Sequence, residues 1–323
     1  MIALRGYEII EQLYESANSL VYRGMREEDQ TAVILKVLKQ DYPTQQELTR
    51  YKQEYEITRN LNLDGVVKVY ALEPYQRTFV IILEDFGALS LKQLLMNNCG
   101  TVGGGGFLIP EFLIIASKIA ETLGQIHFHN IIHKDLNPSN IVFNRQTGEI
   151  KIIDFGISTQ LTKENPTLKS ANVLEGTLAY MSPEQTGRMN RSLDYRTDFY
   201  SLGVTFYELL TGQLPFDSND ALELVHCHIA KQPISPHQLK AEIPKAISDI
   251  VMKLMAKTAE ERYQSAYGIK ADLTSCLNQL QSDGEISAFL LAADDVSDKF
   301  QIPQKLYGRE AEVETLLTAF ERV

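Results

Sequence analysis

Two polar loop segments, fourteen residues apart, constrain this chain more than any other feature of its sequence. The first carries a carboxylate, Asp135, and an amide, Asn140, five residues apart on a loop that contains a proline. In the second, an apolar strand ends in Asp154, which a phenylalanine and a glycine follow. Each segment alone is typical of a capped turn. Together, in this order, they predict one site in which Asn140 and Asp154 bind a divalent cation and Asp135 faces a hydroxyl group.

The pattern of apolar residues divides the chain into a sheet-rich part and a helical part. Roughly the first 90 residues contain β-branched runs that predict strands, interrupted by one helical pattern. The predicted strands cover residues 7–14, 20–24, 31–38, 66–72 and 78–84, with a helix at 45–62 and a turn at Pro74. Beyond Gly87, long helical patterns cover residues 113–129, 198–211 and 246–256. The sequence therefore predicts an α+β fold whose small sheet-rich part joins a larger helical part near residues 84–87.

The two polar segments resemble the catalytic loop and the metal-binding loop of the eukaryotic-type (bacterial, Hanks-type) Ser/Thr protein kinases. That family carries H-R-D-x-x-x-x-N and D-F-G where this chain has residues 133–140 and 154–156. The resemblance implies a bilobal protein-kinase-like fold, with a small antiparallel-sheet N-lobe in residues 1–86 and a larger helical C-lobe in residues 87–284. It also implies an enzyme that transfers the γ-phosphate of ATP to Ser or Thr hydroxyls of a protein, with Mg²⁺ as a cofactor.

The same resemblance assigns catalytic roles to further residues. Lys36 matches the strand lysine that holds the α- and β-phosphates, and Glu54 matches the helix glutamate that pairs with it. Glu56 is the competing partner, but Glu54 has the family's spacing to the apolar residues of the helix. Asp135 orients the acceptor hydroxyl or accepts its proton. Asn137 stands where the family usually carries a lysine that contacts the γ-phosphate, and an amide there hydrogen-bonds without neutralising charge.

The nucleotide pocket is also implied by the resemblance. Its predicted residues are Val21, Ile34 and Val142 around the adenine, the gatekeeper Leu83, the hinge backbones of Glu84 and Phe86, and Ser16, Ser19 and Lys36 near the phosphates. The loop that covers the nucleotide departs from the family pattern G-x-G-x-x-G-x-V, because residues 14–21 contain no glycine. Ser16 and Ser19 are small enough to approximate glycine, so we expect weaker or differently posed ATP rather than none.

Two further features concern the C-lobe. The resemblance implies a structural ion pair between Glu184 and Arg262 that fixes the substrate-docking loop and takes no part in the chemistry. Lys134 replaces the arginine that commonly docks a phosphorylated activation loop, so we expect activity to depend less on phosphorylation of that loop.

The glycine-free loop and Asn137 leave a second hypothesis open, in which the chain is a pseudokinase that serves as a nucleotide-binding or allosteric scaffold.

The composition narrows the setting of this activity. The 323 residues carry 31 Lys and Arg against 42 Asp and Glu, a net charge of −11, which argues against a nucleic-acid partner. The three cysteines are scattered without metal-type spacing, as in reduced thiols. Neither an N-terminal signal pattern nor an apolar run long enough to span a bilayer is visible. We therefore expect a cytoplasmic signalling protein, and the family resemblance implies a bacterial one.

Residues 285–323 are predicted to be a linker and the start of a truncated neighbour. The segment from Ile302 to Val323 resembles the opening of an AAA-type ATPase module, and a helical tail of the kinase is the alternative. Asp294, Asp295 and Asp298 are interpreted as a solvated linker. The arrangement resembles the N-terminal part of large cyanobacterial kinases that join a Ser/Thr kinase to an ATPase module and a histidine kinase. Downstream modules of such a parent are therefore expected partners.

Overall fold

The computed structural model describes residues 4–16, 18–39, 42–98, 105–160, 176–187 and 193–296. The N-terminal part is a five-stranded antiparallel sheet in the order β1-β2-β3-β5-β4, with one helix on it. Its elements are β1 (Tyr7–Glu15), β2 (Ser19–Arg26), β3 (Ala32–Leu38), α1 (Gln45–Leu61), β4 (Val69–Tyr75) and β5 (Thr78–Glu84). The predicted α+β fold with a small antiparallel N-lobe is confirmed.

Alternation along β5 explains why this sheet is apolar on both faces. Val80 and Ile82 pack with β3 residues on one side, whereas Ile81 packs against Tyr51 and Tyr55 of α1 on the other. Successive strand residues point to opposite faces, so a run of consecutive apolar residues serves both. The helix is fixed against this face and cannot slide without exposing its aromatic residues.

Helix α1 carries both terminal signals that the sequence can encode. Thr44 and Glu47 form a capping box at its start, and Asn62 ends it in the left-handed conformation at a φ of 37°. The turn predicted at Pro74 is wrong, because Pro74 lies within β4 and the turn follows at Gln76, with a φ of 52°. Strand β4 is at the sheet edge, where a proline removes no ladder hydrogen bond.

The C-lobe is built from helices around a small sheet. Its helices are α2 (Leu91–Asn98), α3 (Ile109–Phe128), α4 (Arg196–Thr211), α5 (Ala221–Ala230), α6 (Pro236–Leu239), α7 (Lys245–Leu254) and α8 (Ala266–Asp283). Its short strands are β6 (Leu89–Ser90), β7 (Ile131–Ile132), β8 (Ile141–Phe143), β9 (Ile150–Ile152) and β10 (Thr159–Gln160). Short 3₁₀ turns lie at Leu178–Tyr180, Pro183–Thr186 and Ala259–Glu261. Every residue of α4 is buried, so α4 is the central helix of this lobe.

The chain continues to pack on the C-lobe after α8 ends. Ile286, Phe289 and Leu291 are partly buried against the main apolar core. The interpretation of Asp295 as part of a solvated linker is wrong, because its carboxylate accepts hydrogen bonds from Gln264 and Ser265. Asp298 and the predicted ATPase segment lie outside the described residues. Within the part of the chain that is described, no helix has the length and apolar character needed to cross a membrane.

Candidate active site

Lys36 is the cation at the centre of the cleft between the lobes. Its Nζ lies 2.6 Å from Oε1 of Glu54 and 3.0 Å from Oδ1 of Asp154. Strand β3 supplies the lysine, α1 supplies Glu54, and the segment after β9 supplies Asp154. The side chains of Lys36 and Glu54 are 11% and 9% exposed, whereas that of Asp154 is 40% exposed. The structure therefore brings three of the predicted residues into one cluster, with Asp154 open to the cleft.

The electrostatics of this cluster follow from two carboxylates sharing one ammonium group. Burial opposes the charge on Lys36, but Asp154 and Glu54 outweigh it and raise its pKa. Burial raises the pKa of Glu54 to about 7, against the opposing effect of Lys36. For Asp154 burial acts in the same direction, but Lys36 outweighs it and holds that pKa below its usual range. Asp154 is thus the carboxylate that stays ionised most readily.

The catalytic loop holds Asp135 by both carboxylate oxygens. The backbone N–H of Thr177 donates to Oδ1 at 2.9 Å, and Nδ2 of Asn140 donates to Oδ2 at 3.0 Å. The same amide of Asn140 also donates to the Asp135 carbonyl at 2.9 Å. Asp135 is therefore oriented from the activation segment on one side and from its own loop on the other.

Hydrogen bonds join this loop to the segment after β9 that carries Asp154. The N–H of Ile153 donates to the Asn140 carbonyl at 2.9 Å, and Nε2 of His133 donates to the Ile153 carbonyl at 3.1 Å. The His133 ring packs edge-on against Phe155, with their centroids 4.9 Å apart. Asp154 itself has a φ of 66°, an uncommon conformation for a residue other than glycine and one found at functional sites. The two polar segments therefore form one continuous structure.

Asp198, at the start of α4, accepts hydrogen bonds from the backbone of the catalytic loop. Its carboxylate accepts the N–H of His133 at 2.9 Å and the N–H of Lys134 at 2.7 Å, and Nε2 of His127 donates to it at 2.8 Å. Burial raises the pKa of Asp198, but His127 and the loop hydrogen bonds outweigh burial and lower it. Sequence reasoning identified Asp198 only as a helix start. An acidic residue in the first turn of a predicted helix is the sequence signal that could have suggested this role.

Asn137 lies within the loop and not at its surface. Its Nδ2 donates to the Asp135 carbonyl at 3.1 Å and lies 3.4 Å from Oγ1 of Thr177, while its Oδ1 accepts the N–H of Ser139 at 2.9 Å. The side chain is buried, so these contacts brace the loop. A contact from Asn137 to a phosphate stays a prediction.

The residues predicted to surround the adenine lie on β2, β3, β5 and β8. Ile34 pairs with Leu83 across β3 and β5, and Val21 pairs with Lys36 across β2 and β3. Val142 lies on β8 of the C-lobe. The register thus places Val21 opposite Lys36, and contact of these residues with an adenine stays a prediction.

The hinge backbone is only partly free for a ligand. The N–H of Glu84 donates to the Lys68 carbonyl at 3.0 Å, so Glu84 can offer only its carbonyl. The Phe86 carbonyl accepts Nδ2 of Asn144 at 2.5 Å, and a hydrogen bond from Phe86 to an adenine stays a prediction. Lys151, which sequence reasoning missed, forms an ion pair of 2.6 Å with the Glu84 side chain.

The side chain of Ser16 closes the turn between β1 and β2, which is predicted to lie near the phosphates. Its Oγ accepts the N–H groups of Asn18 at 3.2 Å and Ser19 at 2.9 Å. The Ser16 N–H donates to the Ser19 carbonyl at 2.9 Å, and the two hydroxyls lie 3.0 Å apart. Two N–H groups of this turn are therefore occupied by a serine side chain.

The predicted ion pair of the C-lobe is present and bidentate. Nη1 and Nη2 of Arg262 lie 2.6 Å and 2.9 Å from the two carboxylate oxygens of Glu184, and both side chains are buried. Gln185, the next residue, donates through Nε2 to the Lys134 carbonyl at 2.7 Å. The pair thus anchors the segment that leads back to the catalytic loop.

The residues near the cleft fit a magnesium ion. Asp154 offers an exposed carboxylate, and Asn140 an amide oxygen on the neighbouring segment, which is the hard-oxygen donor set that Mg²⁺ prefers. A second observation agrees, since Lys36 occupies only one oxygen of Asp154. The site therefore combines an anchoring cation, a metal-compatible pair and an oriented carboxylate.

This fold and this site define a nucleotide-dependent phosphotransferase with two lobes. Residues 7–274 match the protein kinase domain family, and the chain belongs to that family. It is 30% identical over 295 residues to a probable serine/threonine-protein kinase of Clostridium perfringens, covering 91% of this chain and 41% of that protein.

Two further relatives are also matched over only part of their length. The serine/threonine-protein kinase PrkC of Bacillus subtilis is 29% identical over 248 residues, covering 76% of this chain and 36% of that protein. Hybrid signal transduction histidine kinase G of Dictyostelium discoideum is 40% identical over 304 aligned residues, covering 67% of this chain and 9% of that protein. The chain therefore spans less than half the length of each of these relatives.

Proposed function

We propose that this chain transfers the γ-phosphate of ATP to Ser or Thr hydroxyls of a protein substrate. The observation that carries the proposal is the pairing of Lys36 with both Glu54 and Asp154. This pairing fixes an ammonium group beside the metal-compatible carboxylate, and Asp135 is oriented on the adjoining segment. Phosphoryl transfer needs positioning and charge stabilisation rather than covalent help from the protein, and this arrangement supplies both.

The nucleotide would enter between the lobes. Val21 and Ile34 contact the adenine from above and Val142 from below, while the Glu84 carbonyl and the Phe86 N–H offer hinge hydrogen bonds. Lys36 then binds the α- and β-phosphates, and Leu83 limits the depth of the pocket. Asn140 and Asp154 would hold Mg²⁺, which supplies positive charge to the phosphate oxygens.

Asp135 would act on the acceptor. Its carboxylate, held by Thr177 and Asn140, orients the substrate hydroxyl and takes its proton as the oxygen–phosphorus bond forms and the bond to ADP breaks. Asn137 braces this loop and offers an amide near the transferred group. Because Asp135 is oriented by two donors, little rearrangement is needed when the substrate hydroxyl arrives.

The choice of Ser and Thr rests on the names of the bacterial relatives, and the setting on the multidomain relative. We propose a cytoplasmic bacterial signalling protein in which downstream modules follow the kinase domain. The match to a hybrid histidine kinase, of which this chain spans 9%, supports such a parent. An AAA-type module and a cyanobacterial arrangement remain part of this proposal.

Labelling with γ-³²P-ATP and Mg²⁺ tests this function on the full chain, with dephosphorylated casein as the acceptor. We expect phosphoserine and phosphothreonine on casein or on the chain itself, and their loss in Asp135→Asn. Asp294→Asn, which changes an exposed carboxylate, is the matched control and should label as the unaltered chain does. Equal labelling by Asp135→Asn would remove that residue from the mechanism. A nucleotide-dependent rise in Tm without labelling would support the scaffold hypothesis instead.

A further inference from the structure

The segment that follows α8 is an ordered part of the C-lobe, and we define residues 284–296 as the C-terminal strap. Gly284 turns the chain at a φ of 76°, and Phe289 and Leu291 then pack against the apolar core. The Ala292 N–H donates to Oδ2 of Asp272 on α8 at 2.8 Å. The strap is therefore held both by apolar contact and by a hydrogen bond to a buried carboxylate.

Asp295, near the end of the strap, contacts the loop that precedes α8. Oδ2 accepts the Gln264 N–H at 2.6 Å, while Oδ1 accepts the Ser265 N–H at 2.8 Å and the Ser265 hydroxyl at 2.7 Å. Three donors on two consecutive residues thus converge on one carboxylate. Charge-assisted hydrogen bonds of this kind are stronger than neutral ones.

Gly268 makes this approach possible. A Cβ at this position would lie 2.5 Å from Oδ1 of Asp295 and 2.6 Å from its Cβ, closer than atoms can pack. The Gly268 N–H donates to Oγ of Ser265 at 3.0 Å, which completes the network at the start of α8. The helix therefore has a glycine where the strap carboxylate rests on it.

The loop that Asp295 contacts also carries the anchor of the substrate-docking segment. Nε2 of Gln264 donates to the Arg262 carbonyl at 2.7 Å, and Arg262 forms the bidentate pair with Glu184. The Gln264 side chain also accepts Nη1 of Arg196 at 2.7 Å. A continuous set of hydrogen bonds thus runs from Asp295 through Gln264 and Arg262 to Glu184.

We propose that Asp295 is a positioning residue for the protein substrate. By ordering residues 262–265, it keeps Glu184 and the docking segment 176–187 in place. The strap then couples whatever follows it in the chain to substrate binding, while leaving the nucleotide pocket unaffected. The kinetic test of this inference rests on the proposed kinase function, whereas its test by hydrogen exchange does not.

The test compares Asp295→Asn and Gly268→Ala with Asp294→Asn, its exposed neighbour, in the full chain. For the first two variants we expect the KM for dephosphorylated casein to rise about threefold or more, with the KM for ATP unchanged. Hydrogen exchange should quicken in residues 176–187. Asp294→Asn should match the unaltered chain in all three measurements.

Each other outcome has a definite meaning. Equal changes in both KM values, or a lower Tm with unchanged KM values and unchanged exchange in residues 176–187, would reduce Asp295 to a structural role and overturn the proposal. If the unaltered chain labels no acceptor, the kinase function fails, and hydrogen exchange alone decides the strap: faster exchange supports the coupling and unchanged exchange refutes it.

Discussion

The ammonium group of Lys36 lies 2.6 Å from Glu54, a residue eighteen positions later on a different element of the N-lobe. Both side chains are almost fully buried, and the second carboxylate within reach of the ammonium is Asp154. Helix α1 is therefore joined to Lys36 by this ion pair and by a hydrogen bond from the Tyr51 hydroxyl to the Lys36 carbonyl. Any displacement of the helix would leave Lys36 to pair with Asp154 alone.

Replacing Glu54 tests this contact directly. In Glu54→Gln, Lys36 should shift toward Asp154 and leave the phosphates, so kcat/KM for ATP should fall about 10- to 100-fold. Steady-state phosphorylation of casein measures it. Glu56→Gln is the matched control, because Glu56 is exposed on the same helix. Equal loss in the two variants, or none in Glu54→Gln, would contradict the role given to the pair.

The choice between Glu54 and Glu56 shows how far the sequence can predict the site. Residues two apart on a helix point roughly 200° away from each other, so only one of them can face the sheet. Spacing to Ile57 and Leu61, which are buried, favours Glu54. Local periodicity combined with family motifs thus predicted the fold, the helix face and the partner of Lys36.

Contacts between distant segments that no family motif marks were the part that could not be predicted. The hydrogen bonds from residues 264 and 265 to Asp295 join positions 31 and 30 residues apart, and a run of acidic residues does not indicate such partners. The internal closure of the turn by Ser16 was missed for a related reason. A serine can cap its own turn or contact a ligand, and composition does not decide between them.

The closure by Ser16 leads to a prediction for ATP. Because Oγ of Ser16 occupies the N–H groups of Asn18 and Ser19, a phosphate must displace it to reach them. Ser16→Gly frees both donors and should lower the KM for ATP about threefold or more. Ser16→Thr retains the hydroxyl and serves as the control. A higher KM in Ser16→Gly would show that the closed turn assists binding.

The buried pair of Arg262 and Glu184 predicts a large effect on stability. Arg262→Met leaves the Glu184 carboxylate buried without its bidentate partner, which should cost about 3–5 kcal/mol of unfolding free energy. Denaturant unfolding measures this. Arg145→Met breaks a pair with Glu111 that is partly exposed on both sides, and should cost at most about 1 kcal/mol. Similar losses in the two variants would show that the C-lobe does not depend on the buried pair.

His228 on α5 is buried among groups that disfavour its charged form. Its Nδ1 lies 2.9 Å from the Tyr200 hydroxyl, and its ring packs edge-on against Phe216 at 5.3 Å between centroids. Lys257 donates to the His228 carbonyl at 2.9 Å. Burial, aided by the charge of Lys257, lowers the pKa of His228 to about 4.

This pKa predicts how stability changes with pH. An unfolded histidine titrates near 6.5, so as the pH falls from about 6.5 toward 4 the unfolded chain takes up a proton before the folded chain does. The contribution of His228 to stability is therefore complete above about pH 6.5 and is lost progressively below it, by up to about 3 kcal/mol.

In His228→Gln this part of the pH dependence should disappear from denaturant unfolding curves measured at pH 7 and pH 5. His226→Gln, which alters an exposed histidine on the same helix, should retain it. A slope that survives in His228→Gln would mean that other groups cause the acid sensitivity.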